Sequence, residues 1–458
     1  MTFQNNKVLL ATIDEFDSFK EKNPEIKYID AILSDLSGVI RGKRLPINDA
    51  QKLFKSGIQF CYSTFLLDVT GYCPDAAGRG FTDGDPDATY FPVAGTLKKM
   101  PWHKDSLGQV LITIQDDSRY SSIIDPRNVL ARVLSRIEDL NLQFKVAFEL
   151  EFYLLDKNRD ESGKPIPAEG ANKTHVYGIP DLDLFGKLFD DINKNCEMQN
   201  IPATTASSEF AAGQYEINLK HTGDLLKAAD DAALLRRIIK ETSARHGYEA
   251  TFMAKPFLDQ TGNGMHLHLS VYDENEKNIF ATPNRYGNKK LKSAIAGFQS
   301  MFYDSFPIFI PNRNGYRRIE TRNFVPVNTS WSWNRRDVSL RIPAGSDDAK
   351  RIEHRVASSD ANPYLVLACL LAGLHNGLAN ELTPSNQVDF DNNEGADKEA
   401  DIDMPKNMDQ ALARFQSSKL LKKYLGKEYL DLYTAAKQGE IDHVESSFVP
   451  REEYDLYL

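Results

Sequence analysis

Four short segments of the chain alternate apolar and polar positions, and in each the polar positions carry chemistry. The first is Phe148-Glu149-Leu150-Glu151-Phe152. On a strand, Glu149 and Glu151 share one face while Phe148, Leu150 and Phe152 share the other. Gly264-Met265-His266-Leu267-His268-Leu269-Ser270-Val271 repeats the device, with His266, His268 and Ser270 on one face. Arg351-Ile352-Glu353-His354-Arg355-Val356 is the third, setting Arg351, Glu353 and Arg355 against Ile352, His354 and Val356. In the fourth, Glu209 and Glu216 flank a tight Ala-Ala-Gly-Gln bend, with Glu216 on the outgoing strand. Read alone, these segments also fit an exposed polar strand face, a structural core histidine or a surface ladder of ion pairs.

The rest of the pattern frames them. Residues 1–25 predict a polar leading helix, and Asp30 to Gly38 and Val39 to Arg44 predict two strands about a Ser37-Gly38 turn. Pro, Gly and Asp crowd residues 71–101, which predicts a long loop region. Val110 to Ile114 reads as a strand, and Asp125-Pro126 opens an amphipathic helix with Asp125 as its cap. Asn362-Pro363 starts a buried helix. Its apolar run, Tyr364 to Leu374, falls well short of the ~18 residues a membrane span needs. The acidic stretch Asp389 to Asp403 predicts a solvated loop, and Ala411 to Lys437 is helical in pattern. The organisation expected is α+β, with one domain over residues 1–120 and a second over 121–458.

Composition narrows the function. At roughly 150 residues per domain, 458 residues allow two or three domains. A net charge of −10 argues against a nucleic-acid partner and is compatible with a cationic substrate. Four cysteines, at 61, 73, 196 and 369, form no Cys-x-x-Cys pair, so neither a zinc site nor a disulfide framework is signalled. No secretory signal opens the chain, and the expected setting is cytoplasmic, without a membrane partner.

Glu149, Glu151, Glu209, Glu216, Glu353 and a histidine make a donor set rich in carboxylate oxygen and free of thiolate. That favours Mg²⁺ or Mn²⁺ over zinc. The acids are too many for one ion, so two are expected. Arg335, Arg336 and Arg341 add guanidinium forks of the kind that bind phosphate and carboxylate. Divalent metals beside arginines suggest ATP-driven phosphoryl chemistry. The chain carries no Gly-x-x-x-x-Gly-Lys-Ser/Thr and no Gly-x-Ser-x-Gly, so neither a P-loop nor a serine-hydrolase elbow is signalled.

With these motifs in order, the chain resembles the glutamine synthetase family, and most of all its branch that ligates glutamate to putrescine. The segments that carry the resemblance are Tyr28 to Arg44, Glu149 to Asp156, Gly213 to Leu219, Ala250 to Pro256, Gly264 to His268 and Ala361 to Leu365. It implies a small N-terminal beta-grasp domain and a catalytic domain whose antiparallel strands form a funnel. It implies a homo-oligomer, a dodecamer, with each funnel completed by the neighbouring subunit. It implies that Glu151, Glu209 and Glu216 hold one metal and that Glu149, His266 and Glu353 hold the other. Gly262, His266, Arg318 and Arg355 fall where the family holds glutamate, and Arg336 and Arg341 where it steadies the transferred phosphate. His268, Ser270 and Arg351 fall near ATP.

Departures bear on the amine. Ammonia-using members carry Glu-Ala-Pro after the glutamate-binding arginine; here the loop reads Asn323-Phe324-Val325-Pro326, with Phe324 at the Glu position, and Thr261 replaces a loop Asn. Trp331 and Trp333 are similar to an aromatic segment of the putrescine branch and could attract a cationic amine, though core packing is the plainer role. Asp68 falls near the position from which the N-terminal domain offers an acid to the amine. The expectation is an ATP-dependent ligase joining L-glutamate to putrescine or a similar polyamine. The alternatives are a glutamine synthetase using ammonia, a ligase for another small amine, and a catalytically dead relative.

Overall fold

The computed structural model describes residues 8–103, 106–116, 121–168, 170–171, 176–320, 325–326, 328–385, 387–391 and 403–447. Two sheets organise them. The first contains β1 (Tyr28–Ser34), β2 (Ile40–Pro46), β3 (Ile58–Cys61), β4 (Asp87–Pro92), β5 (Lys98–Lys99) and β6 (Leu107–Ile114), in the order β2-β1-β6-β4-β3 with β5 also on β6. β1 and β2 form the expected antiparallel hairpin. Its turn is stapled by Asp35, whose Oδ1 accepts from the backbone N–H of Ser37 and Val39 at 3.0 and 2.9 Å. Gly38 closes it at φ +81°, a conformation open to glycine without a Cβ clash.

The leading helix is Ile13–Lys22. The loop expected over 71–101 is interrupted by β4 and β5. Ala88, Tyr90 and Pro92 alternate into the core there, a short period-two signal that the surrounding Gly, Pro and Asp hide.

The second sheet contains β7 (Gln143–Arg159), β8 (Pro165–Pro167), β9 (Ala203–Ser208), β10 (Gln214–Leu219), β11 (Tyr248–Thr251), β12 (Met265–Tyr272), β13 (Trp331–Trp333), β14 (Leu340–Ile342) and β15 (Ile352–His354). Its order is β13-β14-β15-β12-β7-β10-β9, with β8 and β11 on the far end of β7. All its pairs are antiparallel except β13 with β14. Along β7, Phe144, Val146, Phe148, Leu150 and Phe152 are buried, and the residues between them are half-buried. One face thus packs on the core while the other opens to a cavity.

Helices cover the apolar face. Pro126–Arg136 is capped by Asp125, whose Oδ1 accepts from Arg127 N–H at 2.9 Å. Pro363–Ala379 is capped by Asn362, which also donates to the Asp35 carbonyl at 2.8 Å and so ties the first hairpin to this helix. Ala411 to Lys437 resolves into three helices, Met408–Ser417, Lys419–Leu425 and Lys427–Ser447. Ser418 separates the first two and caps the second through Leu421 N–H. The α+β class with an antiparallel sheet flanked by helices is therefore the observed one. The acidic stretch after Asp391 lies mostly outside the described residues. No helix among the described residues is long and apolar enough to cross a membrane.

Candidate active site

Strand register assembles the site. β7 pairs with β12 so that His266 stands opposite Glu149 and His268 opposite Ala147. On its other side β10 sets Glu216 opposite Glu151 and Asn218 opposite Glu149. β15 brings Glu353 opposite His268, and β14 brings Arg341 opposite Glu353. Side chains at facing positions of an antiparallel pair project to the same side, so carboxylates, imidazoles and guanidinium groups form one continuous patch.

That patch lines a cavity of about 740 Å³. Every predicted metal, glutamate and phosphate residue is on its wall: Glu149, Glu151, Glu209, Glu216, His266 and Glu353, then Gly262, Arg318 and Arg355, then Arg336 and Arg341. His268 and Arg351 line it as well and continue into an adjoining cavity of about 570 Å³ that holds Ser270, Lys145, Lys220 and His221.

His266 is the hub. Its Nδ1 lies 3.4 Å from Glu149 and 3.9 Å from Glu216, and its Nε2 lies 3.8 Å from Glu151. Donor atoms of Glu149, His266 and Glu353 fall within 4.8 Å of one another, as do those of Glu151, Glu216 and His266. Glu209 stands outside both triads, with Ser207 Oγ 3.5 Å from its carboxylate. Arg351 Nε donates to His268 Nδ1 at 3.1 Å, which leaves the other ring nitrogen to carry the proton. That nitrogen, Nε2, lies 2.9 Å from Glu149 Oε1. Glu353 is clamped from both sides: Arg341 donates to one oxygen at 2.8 Å, and Arg355 bonds the other.

Glycine is required where the loop meets this patch. A Cβ on Gly264 would fall 2.7 Å from the Arg318 guanidinium and 3.1 Å from His266 Nε2. The Gly264 N–H donates to Glu151 Oε2 at 2.6 Å. Arg318 is buried and donates to the Val356 carbonyl at 2.8 Å.

The electrostatics is divided. Burial first, and the Glu151 charge second, push Glu209 up to about 8 despite Arg336. Burial and four neighbouring carboxylates raise Glu216 well above its ordinary value. Glu353 is the reverse case, where Arg355, both histidines and Arg341 overcome burial and hold it down to about 2. His266 and His268 likewise overcome burial and hold Glu149 below the usual range. Buried carboxylates that repel one another, with all-oxygen donors and one imidazole, fit hard divalent cations such as Mg²⁺ or Mn²⁺.

In the metal-free protein Glu209 and Glu216 hold protons that the unfolded chain gives up near pH 4.5. The favourable contribution of Glu209 is complete below that value and lost as the pH rises through about 8, and Glu216 acts in the same direction. A divalent ion bound at these acids would replace those protons. The melting temperature of the metal-free protein should therefore fall from about pH 5 to pH 8, and the rise caused by added Mg²⁺ should be larger at pH 8 than at pH 6. Equal increments at both pH values would show that these acids do not meet the ion.

Some predicted residues are not brought to the cavity. Asp68 is 2% exposed, and its carboxylate accepts from Thr70, from Tyr72 N–H and, at 2.6 Å, from His443. Trp331 is 1% exposed and meets Tyr286 edge-on. Trp333 packs against Phe390, and the Arg285 guanidinium already covers its ring. The segment from Gln387 to Phe390 bridges to Trp331 and lies against Trp333, which turns these rings into packing. Asn323 and Phe324 lie outside the described residues. Sequence reasoning missed Gln214 and Asn218. Asn218 donates to Glu149 Oε1 at 2.9 Å, and Gln214 donates to the Gly262 carbonyl at 3.0 Å. Both share a strand face with Glu216, so the period that selected Glu216 also selects them.

An antiparallel sheet presenting this patch defines an enzyme site built for charge-dense substrates. The family model "Glutamine synthetase, catalytic domain" matches residues 123–457. The chain is 37% identical to gamma-glutamylputrescine synthetase PuuA of Escherichia coli (strain K12), over 94% of this chain and 92% of that one. It is 31% identical to glutamate–isopropylamine ligase of a Pseudomonas species, over 100% and 99%. Among solved structures, a complex of GmaS with ADP superposes with a TM-score of 0.80 at 25% identity, covering 96% of this chain and 98% of that one. The chain belongs to the glutamine synthetase family. It is an ATP-dependent carboxylate–amine ligase.

Proposed function

We propose that this enzyme ligates the γ-carboxylate of L-glutamate to putrescine or a similar polyamine through a γ-glutamyl phosphate. The observation that carries the reading is the single cavity in which two triads of cation donors face a cluster of arginines. The names of two relatives, one a putrescine and one an isopropylamine ligase, support an organic amine in place of ammonia.

The residue roles follow from charge. Glu149, His266 and Glu353 would hold one divalent ion, and Glu151, Glu216 and Glu209 the other. Bound there, the ions would neutralise negative charge on ATP and on the phosphoryl group in transfer. Arg318, Arg355 and the Gly262 backbone would hold glutamate. His268, Ser270 and Arg351 would hold ATP. The γ-carboxylate oxygen attacks the terminal phosphorus and ADP leaves, while Arg336 and Arg341 offset the charge on the equatorial oxygens. The amine nitrogen then attacks the acyl carbon, loses a proton and expels phosphate. Phe324, standing where ammonia-using relatives have a proton-accepting Glu, disfavours ammonium. Asp68 would have to reach the amine from a neighbouring subunit, in a cytoplasmic dodecamer with a domain boundary near residue 120.

The test is phosphate release from ATP and glutamate with a panel of amines. Putrescine should outperform both ammonium and butylamine, since its far ammonium can be anchored while the near amine reacts. The highest kcat/KM with ammonium would make the chain a glutamine synthetase with an unusual base. Butylamine matching putrescine would make it a general amine ligase.

A further inference from the structure

One buried amide joins the strand of cation donors to the loop that carries Gly262. Gln214 opens β10, is 2% exposed and lies opposite Tyr153 on β7. Its Nε2 donates to the Gly262 carbonyl and to Asn263 Oδ1, both at 3.0 Å. Its Oε1 accepts from the Thr261 hydroxyl and, at 3.4 Å, from Ala211 N–H. Two donors and two lone pairs are all that an amide has, so this one keeps nothing for a ligand. Asn263 fixes which way it points. Asn263 Nδ2 donates to the Met253 carbonyl at 2.9 Å, so its Oδ1 must face a donor. The main chain of Gln214 has a separate role, closing the bend that carries Glu209. Its N–H donates to the Ala211 carbonyl at 3.1 Å, and its carbonyl accepts from Glu209 N–H at 2.8 Å.

These bonds set two peptide planes. Tyr153 Oη donates to the Thr261 carbonyl at 2.6 Å. In a trans peptide the N–H points opposite to the C=O, so the Gly262 N–H, which shares that plane, is turned away from Tyr153. Gln214 holds the next carbonyl, that of Gly262, and on the far side of its plane the Asn263 N–H donates to the Ala254 carbonyl at 2.8 Å. Gly262 lines the cavity, and its N–H has no acceptor among the described residues. A Cβ there would fall 2.7 Å from Arg318 Cγ, so the loop lies directly against the arginine. We infer that Gln214, with Tyr153, is a positioning residue that presents the Gly262 N–H, beside Arg318, to a carboxylate of the substrate glutamate. The inference rests on the reading that Gly262 and Arg318 hold glutamate. It assigns the shape of that site to two side chains that do not touch the substrate. The side chain of Gln214 serves the loop and its main chain serves the Glu209 bend, so replacing the side chain weakens glutamate binding and spares the cation.

Gln214→Met tests this, because it keeps the length of the side chain and removes its donors. The Kd for L-glutamate, measured by calorimetry with Mn²⁺ and ADP present, should rise about tenfold or more, the scale of one hydrogen bond to a charged group. Mn²⁺ affinity, measured by electron paramagnetic resonance on the substrate-free protein, should stay within about twofold. Tyr153→Phe keeps the buried ring and should weaken glutamate binding in the same way. Thr261→Ser keeps the hydroxyl and should bind glutamate as the wild type does. A fall in Mn²⁺ affinity in step with glutamate affinity marks a general role in folding the site and overturns the inference. So does a glutamate Kd within about twofold of the wild type in both Gln214→Met and Tyr153→Phe. If Gln214→Met does not fold, Tyr153→Phe decides by the same two measurements. Absence of glutamate binding in the wild-type enzyme overturns the glutamate reading and this inference with it, whereas tight binding that neither variant weakens overturns this inference alone.

Discussion

Glu151→Ala should reduce ligation to background while the protein still folds. The expected loss follows from position: Glu151 lies 3.8 Å from His266 and shares a donor triad with Glu216, so its removal would open the candidate cation site that this triad forms. Folding survives because two effects oppose each other. The Gly264 N–H loses its carboxylate acceptor, a cost of about 1–3 kcal/mol if it stays buried and unpaired. Against that, Glu209 and Glu216 lose a repelling neighbour that now raises both. Phosphate release measures the activity, thermal melting the fold, and titration calorimetry with Mg²⁺ the number of ions. Glu149→Ala should behave alike through the other triad. Near-normal turnover in either variant, or two ions still bound in Glu151→Ala, would sink the two-metal assignment.

Arg355→Lys should lower kcat/KM by the equivalent of about 2–4 kcal/mol, the scale of losing one preorganised donor in a dry site. The buried guanidinium bonds Glu353 through one nitrogen and the Arg336 carbonyl at 3.1 Å through another. An ammonium on a flexible stem cannot hold both directions at once. The ammonium keeps a positive charge beside Glu353 but not the fixed guanidinium bond, so Glu353 stays ionised while glutamate affinity falls. A change of less than threefold in kcat/KM would put Arg355 outside the chemistry.

Much of the site is legible from alternation. On β7 the period of two separates Glu149 and Glu151 from Phe148, Leu150 and Phe152, and burial follows that pattern. The same reading finds His266 and His268 on β12 and Glu353 on β15. Asp125, Asn362 and the Ser37-Gly38 turn are equally local, because a cap or a tight turn is set by bonds spanning two to four residues. β4 is hidden by its surroundings, since a six-residue strand among Gly, Pro and Asp offers too little period to stand out.

Local pattern settles which side chains share a face, which helices start where, and that the donors are oxygens and imidazoles without thiolate. Who stands beside whom is set by long-range pairing. Period two assigns a face but not a neighbour, so nothing local states that Glu353 pairs with His268 or that Asn218 reaches Glu149. Nor could it state that Asp68 is held by His443, 375 residues away, or that Trp331 is buried against Tyr286. Long-range pairing is chosen by the burial of the whole sheet, and that sum is not written in any single stretch of the chain.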